Sequence, residues 1–169
     1  MIQFSIRSGD EEYSLRFRTF FKLKTMKIIV VMLILCCSVS SIQLKAQEIE
    51  TDFTQAQSKA TQEDKDILMV FSGSDWCKPC IQLKKEVLET SEFDTYKNQH
   101  LIHLELDFPY KANVLSKEQL KHNESLAERY NPKGMFPEVL VVSKEGDVLK
   151  TVKYKKGMST EQFIKKLKG

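Results

Sequence analysis

The chain has 169 residues, of which 41% are hydrophobic and 29% are charged, and this length suits one compact domain. Its formal net charge of +3 at pH 7 comes from the first 46 residues, which hold 7 of the 26 lysines and arginines but only 3 of the 23 aspartates and glutamates. The remainder carries a net charge of −1, which excludes the basic character that a nucleic-acid partner requires.

Residues 1–46 have the pattern of an export signal. Five basic residues between Arg16 and Lys27 precede an apolar run from Ile28 to Leu35, and smaller residues continue this run towards Ala46. The run is shorter than the roughly 20 apolar residues of a transmembrane helix. We therefore predict cleavage after Ala46, export to the periplasm, and a mature domain over residues 47–169.

The start of this signal has two interpretations. Residues 26–46, beginning at Met26, are predicted as the true signal peptide, with 1–25 as either a long basic leader or a misassigned start. A lipid anchor at Cys36 is less favoured, because Leu35 occupies the position where a small residue is expected.

Hydrophobic periodicity in the mature part predicts alternating helices and strands. Helices are predicted at 52–64, 81–88 and 116–130, with a helical turn at 93–96 and a last helix from Ser159 or Thr160, and strands at 67–71, 101–108, 139–142 and 148–154. Asp52 and Ser116 are expected to cap their helices, and Gln119 would complete a capping box with Ser116.

The connections between the predicted strands indicate the fold class. The first two strands are joined by a helix, so they should be parallel with a right-handed crossover. The last two are separated by the turn residues Lys144-Glu145-Gly146-Asp147 and should form an antiparallel hairpin. We predict an α/β fold with a mixed four-stranded sheet and helices on both faces.

A pair of cysteines stands between the first strand and the following helix. Cys77 and Cys80 are three positions apart at the predicted helix start, where the partial positive charge of the helix favours a thiolate. Lys78 adds a nearby positive charge, and Pro79 fixes the entry of the helix while offering no amide donor. Asp75 is expected to serve the turn or cap rather than the chemistry. This pattern indicates disulfide exchange.

Other uses of the cysteine pair are less favoured. A mature chain with one close pair is not a scaffold held together by disulfides, which uses several separated pairs. A zinc site needs about four ligands, and the other obvious candidates are His100, His103 and His122, of which the first two are expected at a strand surface or edge. We predict no metal and no bound cofactor.

Two motifs together resemble the thioredoxin superfamily. Trp76-Cys77-Lys78-Pro79-Cys80 follows a buried strand, and Phe136-Pro137 precedes the third strand, so the resemblance covers roughly residues 52–168. The segment Phe-Ser-Gly-Ser-Asp-Trp-Cys is similar to the corresponding segment of exported bacterial thioredoxin-like proteins. The resemblance implies a thioredoxin fold.

It also implies a role for each matching residue. Cys77, the more exposed cysteine, would be the attacking nucleophile, and Cys80 would resolve the mixed disulfide. Trp76 would cover the site, Pro137 would be a cis-proline facing the cysteines, and the backbone of Phe136 would accept an extended substrate segment.

One position departs from the family. Cytosolic thioredoxins carry a buried aspartate six residues before the first cysteine, and this sequence has Phe71 there. Either another acid, such as Glu86 or Glu138, substitutes for it, or the mixed disulfide is resolved without one.

The resulting functional prediction is a thiol–disulfide oxidoreductase that acts on cysteines of exported proteins. Reduction or isomerisation is favoured over net oxidation, because Lys-Pro between the cysteines resembles the reducing members of the family. One alternative is a dedicated reductant for cytochrome maturation that receives electrons from a membrane partner. Another is a non-catalytic thioredoxin-like module that binds unfolded or partner chains.

Overall fold

The computed structural model of the chain describes residues 48–111 and 114–168. The predicted export signal and the two possible starts lie outside the described residues. Within the described part, no helix combines the length and apolar character needed to cross a membrane.

The helices and strands of the domain follow one another in nearly the predicted order. They are α1 (Phe53–Glu63), β1 (Asp66–Ser72), α2 (Lys78–Leu83) with a π-helical continuation (Lys84–Leu88), α3 (Ser91–His100), β2 (Leu101–Asp107), α4 (Lys117–Tyr130), β3 (Glu138–Val142), β4 (Val148–Thr151) and α5 (Thr160–Lys168). The largest difference is α3, a ten-residue helix where the sequence predicted a single helical turn. The strand β4 is shorter than predicted, since it ends at Thr151 rather than Tyr154.

The four strands form one mixed sheet in the order β2-β1-β3-β4. Strand β1 is parallel to β2 and antiparallel to β3, and β3 is antiparallel to β4. This arrangement confirms the predicted sheet, its parallel crossover and its C-terminal hairpin. The central position of β1 explains why its residues from Ile67 to Ser72 are all buried.

The two faces of the sheet are covered by different helices. The continuation of α2, together with α3 and α5, buries Val87, Phe93 and Phe163 against one face. On the other face, α1 and α4 cover a second apolar cluster that includes Phe71 and Tyr130. The helices on both faces confirm the predicted architecture.

Side-chain caps define where α1 and α4 begin. Asp52 and Ser116 accept hydrogen bonds from the amides of Gln55 (2.8 Å) and Gln119 (3.1 Å), as predicted. Among the described residues, Gln119 does not complete the predicted box by bonding back to Ser116, and its side-chain amide donates to Thr51 O and Asn123 Oδ1.

A reciprocal capping box forms at α5. Ser159 Oγ accepts from the amide of Gln162 at 3.2 Å, and Gln162 Oε1 accepts from the amide of Ser159 at 3.1 Å. Ser159 is therefore the cap of the last helix, which decides between the two candidates that the sequence offered.

Candidate active site

The cysteine pair lies where β1 passes into α2. Cys77 and Cys80 form a disulfide, with their Cα atoms 5.2 Å apart. Cys77 is the N-cap of α2, and its Sγ accepts a hydrogen bond from the amide of Cys80 at 3.3 Å. Pro79 occupies the first turn, where its missing amide leaves no helical bond unmade. The sulfur of Cys77 thus lies at the positive end of a helix, where a thiolate is stabilised.

The exposure of the two cysteines differs from the prediction. Each is 4% exposed, so Cys77 is not the more exposed residue in the disulfide form. The sulfur of Cys77 is bonded to that of Cys80 and faces the first turn of α2, which removes it from solvent. The neighbours Trp76, Lys78 and Pro79 are exposed, and they form the rim around the disulfide.

Trp76 connects two segments beside the disulfide. Its indole N–H donates to Phe108 O at 2.7 Å, and its ring contacts that of Phe136 edge-on with centroids 5.3 Å apart. The indole also lies directly over Gly73, where an added Cβ would come within 2.4 Å of the Trp76 ring. Half of Trp76 remains exposed, so one side of its ring is open to a partner.

Pro137 follows a cis peptide bond. The Phe136–Pro137 bond is cis, which confirms the predicted cis state of this proline. Pro137 lines the same small cavity as Cys80. The preceding Met135 is 56% exposed, and its amide and carbonyl are both held by the side chain of Asn131, at 2.9 and 2.8 Å.

The loop before Cys77 is fastened to the segment after β2. Asp75 accepts hydrogen bonds from the amides of Tyr110 (2.8 Å) and Lys111 (3.0 Å), and these bonds lower the pKa of its carboxyl group. Ser74 bonds to the carboxylate of Asp107 through both its amide (2.8 Å) and its hydroxyl (2.6 Å). Asp75 is therefore a loop-holding residue, in line with the sequence interpretation.

The two glutamates considered as substitutes for the family's buried aspartate lie away from the cavity beside Cys80. Phe71 belongs to the apolar cluster under α1 and α4, and Glu138, its ladder partner on β3, shares that face of the sheet. Burial raises the pKa of Glu138. Glu86 accepts a hydrogen bond from the hydroxyl of Tyr154 at 2.7 Å, and burial together with this bond raises the pKa of Tyr154 to about 12. Neither glutamate lines the cavity beside Cys80.

The carboxylate that does line this cavity belongs to Glu105 of β2. Glu105 is the ladder partner of Val70, which belongs to the cluster under α2 and α5. Because ladder partners share a face, the alternation of β2 places Glu105 on the side of the cysteines. The sequence pattern that could have indicated Glu105 is a charged residue inside a strand of alternating hydrophobicity.

Of the two histidines expected at a strand surface or edge, His103 is buried and His100 is exposed. His103 is 2% exposed inside β2, where burial lowers its pKa to about 3, with the charges of Lys97 and Lys84 acting in the same direction. His100 ends α3 and packs on Tyr96. Among residues 48–111 and 114–168, no cluster of three or more histidine, cysteine, aspartate or glutamate side chains could hold a metal ion.

Comparison with known proteins extends the sequence resemblance. Residues 53–168 match the thioredoxin-like domain family. The disulfide bond reductase DsbH of Chlamydia pneumoniae is 35% identical over 105 residues, which are 62% of this chain and 62% of the relative. The thioredoxin-related protein DsbJ of the same organism is 45% identical over 42 residues, which are 25% of this chain and 12% of that protein.

A solved structure agrees with the sequence match. The structure of a DsbH oxidoreductase superposes with a TM-score of 0.64 at 30% identity, covering 78% of this chain and 94% of that chain. The match to the curated DsbH spans less than two thirds of that protein's length. Since the family match covers nearly all of the described domain, the chain belongs to the thioredoxin-like domain family.

Proposed function

We propose that this chain is a thiol–disulfide oxidoreductase that exchanges disulfides with cysteine-containing proteins. The observation that carries the proposal is the Cys77–Cys80 disulfide at the start of α2, with the Cys80 amide donating to the sulfur of Cys77. This donor and the helix N-terminus both favour negative charge on Cys77 when the pair is reduced.

The reaction proceeds by two exchanges between sulfurs. The Cys77 thiolate attacks a disulfide of the substrate, forms a mixed disulfide and expels one substrate cysteine as a thiolate. The Cys80 sulfur then attacks Cys77, restores the internal disulfide and releases the second substrate cysteine. The two residues are joined in the oxidised structure, so this second attack needs little movement.

The residues around the disulfide are suited to holding an extended substrate. Trp76 and Phe136 pack edge-on and form an apolar wall, and Pro137 lies beside the cavity of Cys80. We assign substrate contact to these three residues and electrostatic support of the Cys77 thiolate to Lys78. Pro79 sets the entry angle of α2.

We assign the direction of the reaction to reduction or isomerisation, on exported substrates in the periplasm. The Lys-Pro pair between the cysteines supports this direction, as does the similarity to a protein described as a disulfide bond reductase. A membrane electron donor would return the pair to its reduced form. Equilibration with glutathione tests the direction, because a reduction potential near −270 mV marks a reductant and one near −120 mV marks an oxidant.

Reduction of insulin disulfides tests the activity itself. Mature wild-type protein with a dithiol reductant is expected to accelerate insulin precipitation, whereas Cys77→Ser is expected to match the reductant alone. Cys80→Ser is the matched control, since it also loses one sulfur and the internal disulfide but retains the attacking thiol. If wild type and Cys77→Ser give the same rate while both are folded, the proposal is wrong.

A second candidate function is the binding of unfolded chains without chemistry. It is favoured by the apolar side chains exposed near the disulfide, since Trp76 is 50%, Met135 56% and Tyr110 86% exposed. A binding module would suppress aggregation of an unfolded, cysteine-free client equally well as wild type and as Cys77→Ser, and it would show no insulin reduction.

A further inference from the structure

A small cavity lies directly beneath the first turn of α2. Cys80 and Pro137 line it from the side of the disulfide, Ser72 and Glu105 line it from the sheet, and Lys84 lines it from the helical continuation of α2. Glu105 is the one carboxylate among its lining residues in the described part of the chain. Cys80, the residue that must attack during resolution, therefore shares an enclosed space with a single acid.

The carboxylate of Glu105 is held by two partners. Its Oε1 accepts a hydrogen bond from the hydroxyl of Ser72 at 3.2 Å, and its Oε2 lies 3.8 Å from the ammonium of Lys84. The Glu105 side chain is 16% exposed and that of Lys84 is 45% exposed. The carboxylate is thus mostly withdrawn from solvent, oriented from β1, and balanced by a cation at the cavity mouth.

The cavity has room for one bridging water. It offers about 20 Å³ to the centre of a water-sized sphere, and roughly 10–15 Å³ is enough for one water. The Ser72 hydroxyl, the Glu105 carboxylate and the Cys80 sulfur can supply the two to four polar partners that such a water needs. The cavity can therefore hold one water that would carry a proton from Cys80 to Glu105.

We infer that Glu105 accepts the proton of the Cys80 thiol during resolution of the mixed disulfide. This inference rests on the proposed function, because it concerns the second step of that reaction. Only the thiolate attacks a disulfide, and Cys80 is buried without the cap geometry that favours the charged form of Cys77. A base inside the cavity can form the Cys80 thiolate, which the position of Cys80 alone does not favour.

The step balances without any further reactant. The Cys80 S–H bond breaks and its proton moves to the Glu105 carboxylate. The Cys80 sulfur then bonds to the Cys77 sulfur, and the bond between Cys77 and the substrate sulfur breaks. The substrate cysteine leaves as a thiolate that takes a proton from solvent, and Glu105 returns its proton to solvent past Lys84.

Other charged and titratable groups surround Glu105 on the same face of the sheet. Lys84 approaches from the helix, and His103 lies two positions earlier on β2, beyond which Lys97 of α3 lies near it. His103 stays neutral at physiological pH because its pKa is about 3. Asp107, two positions later, is bonded to Ser74. Glu105 thus lines the cavity with Cys80, whereas the carboxylate of Asp107 is bonded to Ser74 and does not line it.

The test separates the two exchange steps in a single turnover. Reduced mature protein is mixed with an excess of a disulfide-bonded peptide, samples are quenched in acid, and the mixed disulfide is followed by mass spectrometry. In Glu105→Gln the mixed disulfide is expected to form at the wild-type rate and to decay at least about tenfold more slowly at pH 7. The difference should shrink towards pH 9, because the Cys80 thiol then ionises without a base.

Glu86→Gln and Glu138→Gln are the matched controls, because they neutralise glutamates that do not line the cavity. Both are expected to show wild-type decay at every pH. Decay of the mixed disulfide in Glu105→Gln at the wild-type rate, with the wild-type pH dependence, would overturn the inference. If wild type forms no mixed disulfide at all, the proposed function fails instead, so the two failures are distinguishable.

Lys84→Gln provides a second variant should Glu105→Gln fold poorly. The half-exposed side chain of Lys84 is replaceable without opening the core. Its loss removes the positive charge that balances and orients the Glu105 carboxylate, so the mixed disulfide should form at the wild-type rate and decay more slowly at pH 7. Decay at the wild-type rate in Lys84→Gln would contradict a proton-accepting carboxylate at this position.

Discussion

The two faces of the central sheet are built from the same strands but differ in chemistry. Under α1 and α4, β1 and β2 present only apolar side chains, among them Met69, Phe71 and Leu104. Under α2 and α5, the same strands place Ser72, His103 and Glu105 among the leucines and valines. The disulfide lies on this second face.

The difference shows where polar groups are tolerated inside this domain. Burying a polar group without a partner costs roughly 1–3 kcal/mol, and β1 and β2 place no polar side chain on the apolar face. On the cysteine face, Ser72 and Glu105 satisfy each other, whereas Nε2 of His103 has no hydrogen-bond partner among the described residues. We infer that the apolar face stabilises the domain more than the polar face does, because the polar face also buries the groups that serve the chemistry.

The largest expected effect comes from breaking the apolar face. Phe71 is completely buried and packs on Phe108 with ring centroids 6.4 Å apart. Phe71→Ala is expected to lower the free energy of unfolding by about 3–5 kcal/mol, as measured by urea denaturation. Insulin reduction per folded molecule should be unchanged, because the side chain points away from the cysteines. A folded Phe71→Ala with strongly reduced activity would contradict the division between the faces.

An intermediate effect is expected from His103 on the polar face. The free imidazole has a pKa near 6.5, whereas that of buried His103 is about 3. Below pH 6.5 the unfolded chain therefore binds a proton that the folded chain does not, so stability falls as the pH drops from 6.5 to 3. At pH 5 this loss is about 2 kcal/mol relative to pH 7.5.

The variant His103→Leu should remove this part of the pH dependence. Urea denaturation of wild type and variant at pH 5 and pH 7.5 measures it, with His122→Gln as a control that removes a half-exposed histidine. An identical loss of stability in wild type and His103→Leu between the two pH values would show that His103 is not buried in its neutral form.

The smallest expected effect sharpens the description of the site rim. In Gly73→Ala the new methyl group would overlap the Trp76 ring, which must then move away from Phe108. Since Trp76 is half exposed, the cost should be near the lower end of the 1–3 kcal/mol typical of overpacking, about 1 kcal/mol. Fluorescence of the chain's single tryptophan should shift to longer wavelength. Unchanged emission would mean that the ring does not rest on Gly73.

The sequence was sufficient for the sheet and for the cysteine motif. The apolar run of β1, the hairpin turn and the Cys77–Cys80 spacing are local patterns, and the cis state of Pro137 followed from the family resemblance. The length of α3 was underestimated because Phe93 is its only buried hydrophobic residue, so the hydrophobic periodicity of this segment is weak.

Other features depend on contacts between distant segments. The position of the family's aspartate, six residues before Cys77, is Phe71 here. The ladder between β1 and β2 shows instead that Val70 and Glu105 share the face of the cysteines. The π-helical continuation of α2, in which the amide of Glu89 bonds to Lys84 O, leaves no pattern in the sequence. The disulfide also withdraws Cys77 from solvent, which motif spacing alone does not reveal.

Trapping the mixed disulfide tests the central claim most directly. Reduced Cys80→Ser is incubated with a disulfide-bonded substrate protein, and the product is separated without reductant and mapped by mass spectrometry. We predict a stable adduct joined through Cys77, and no adduct from Cys77→Ser under the same conditions. An adduct formed only by Cys77→Ser, through Cys80, would contradict the assignment of the nucleophile and with it the proposed reaction.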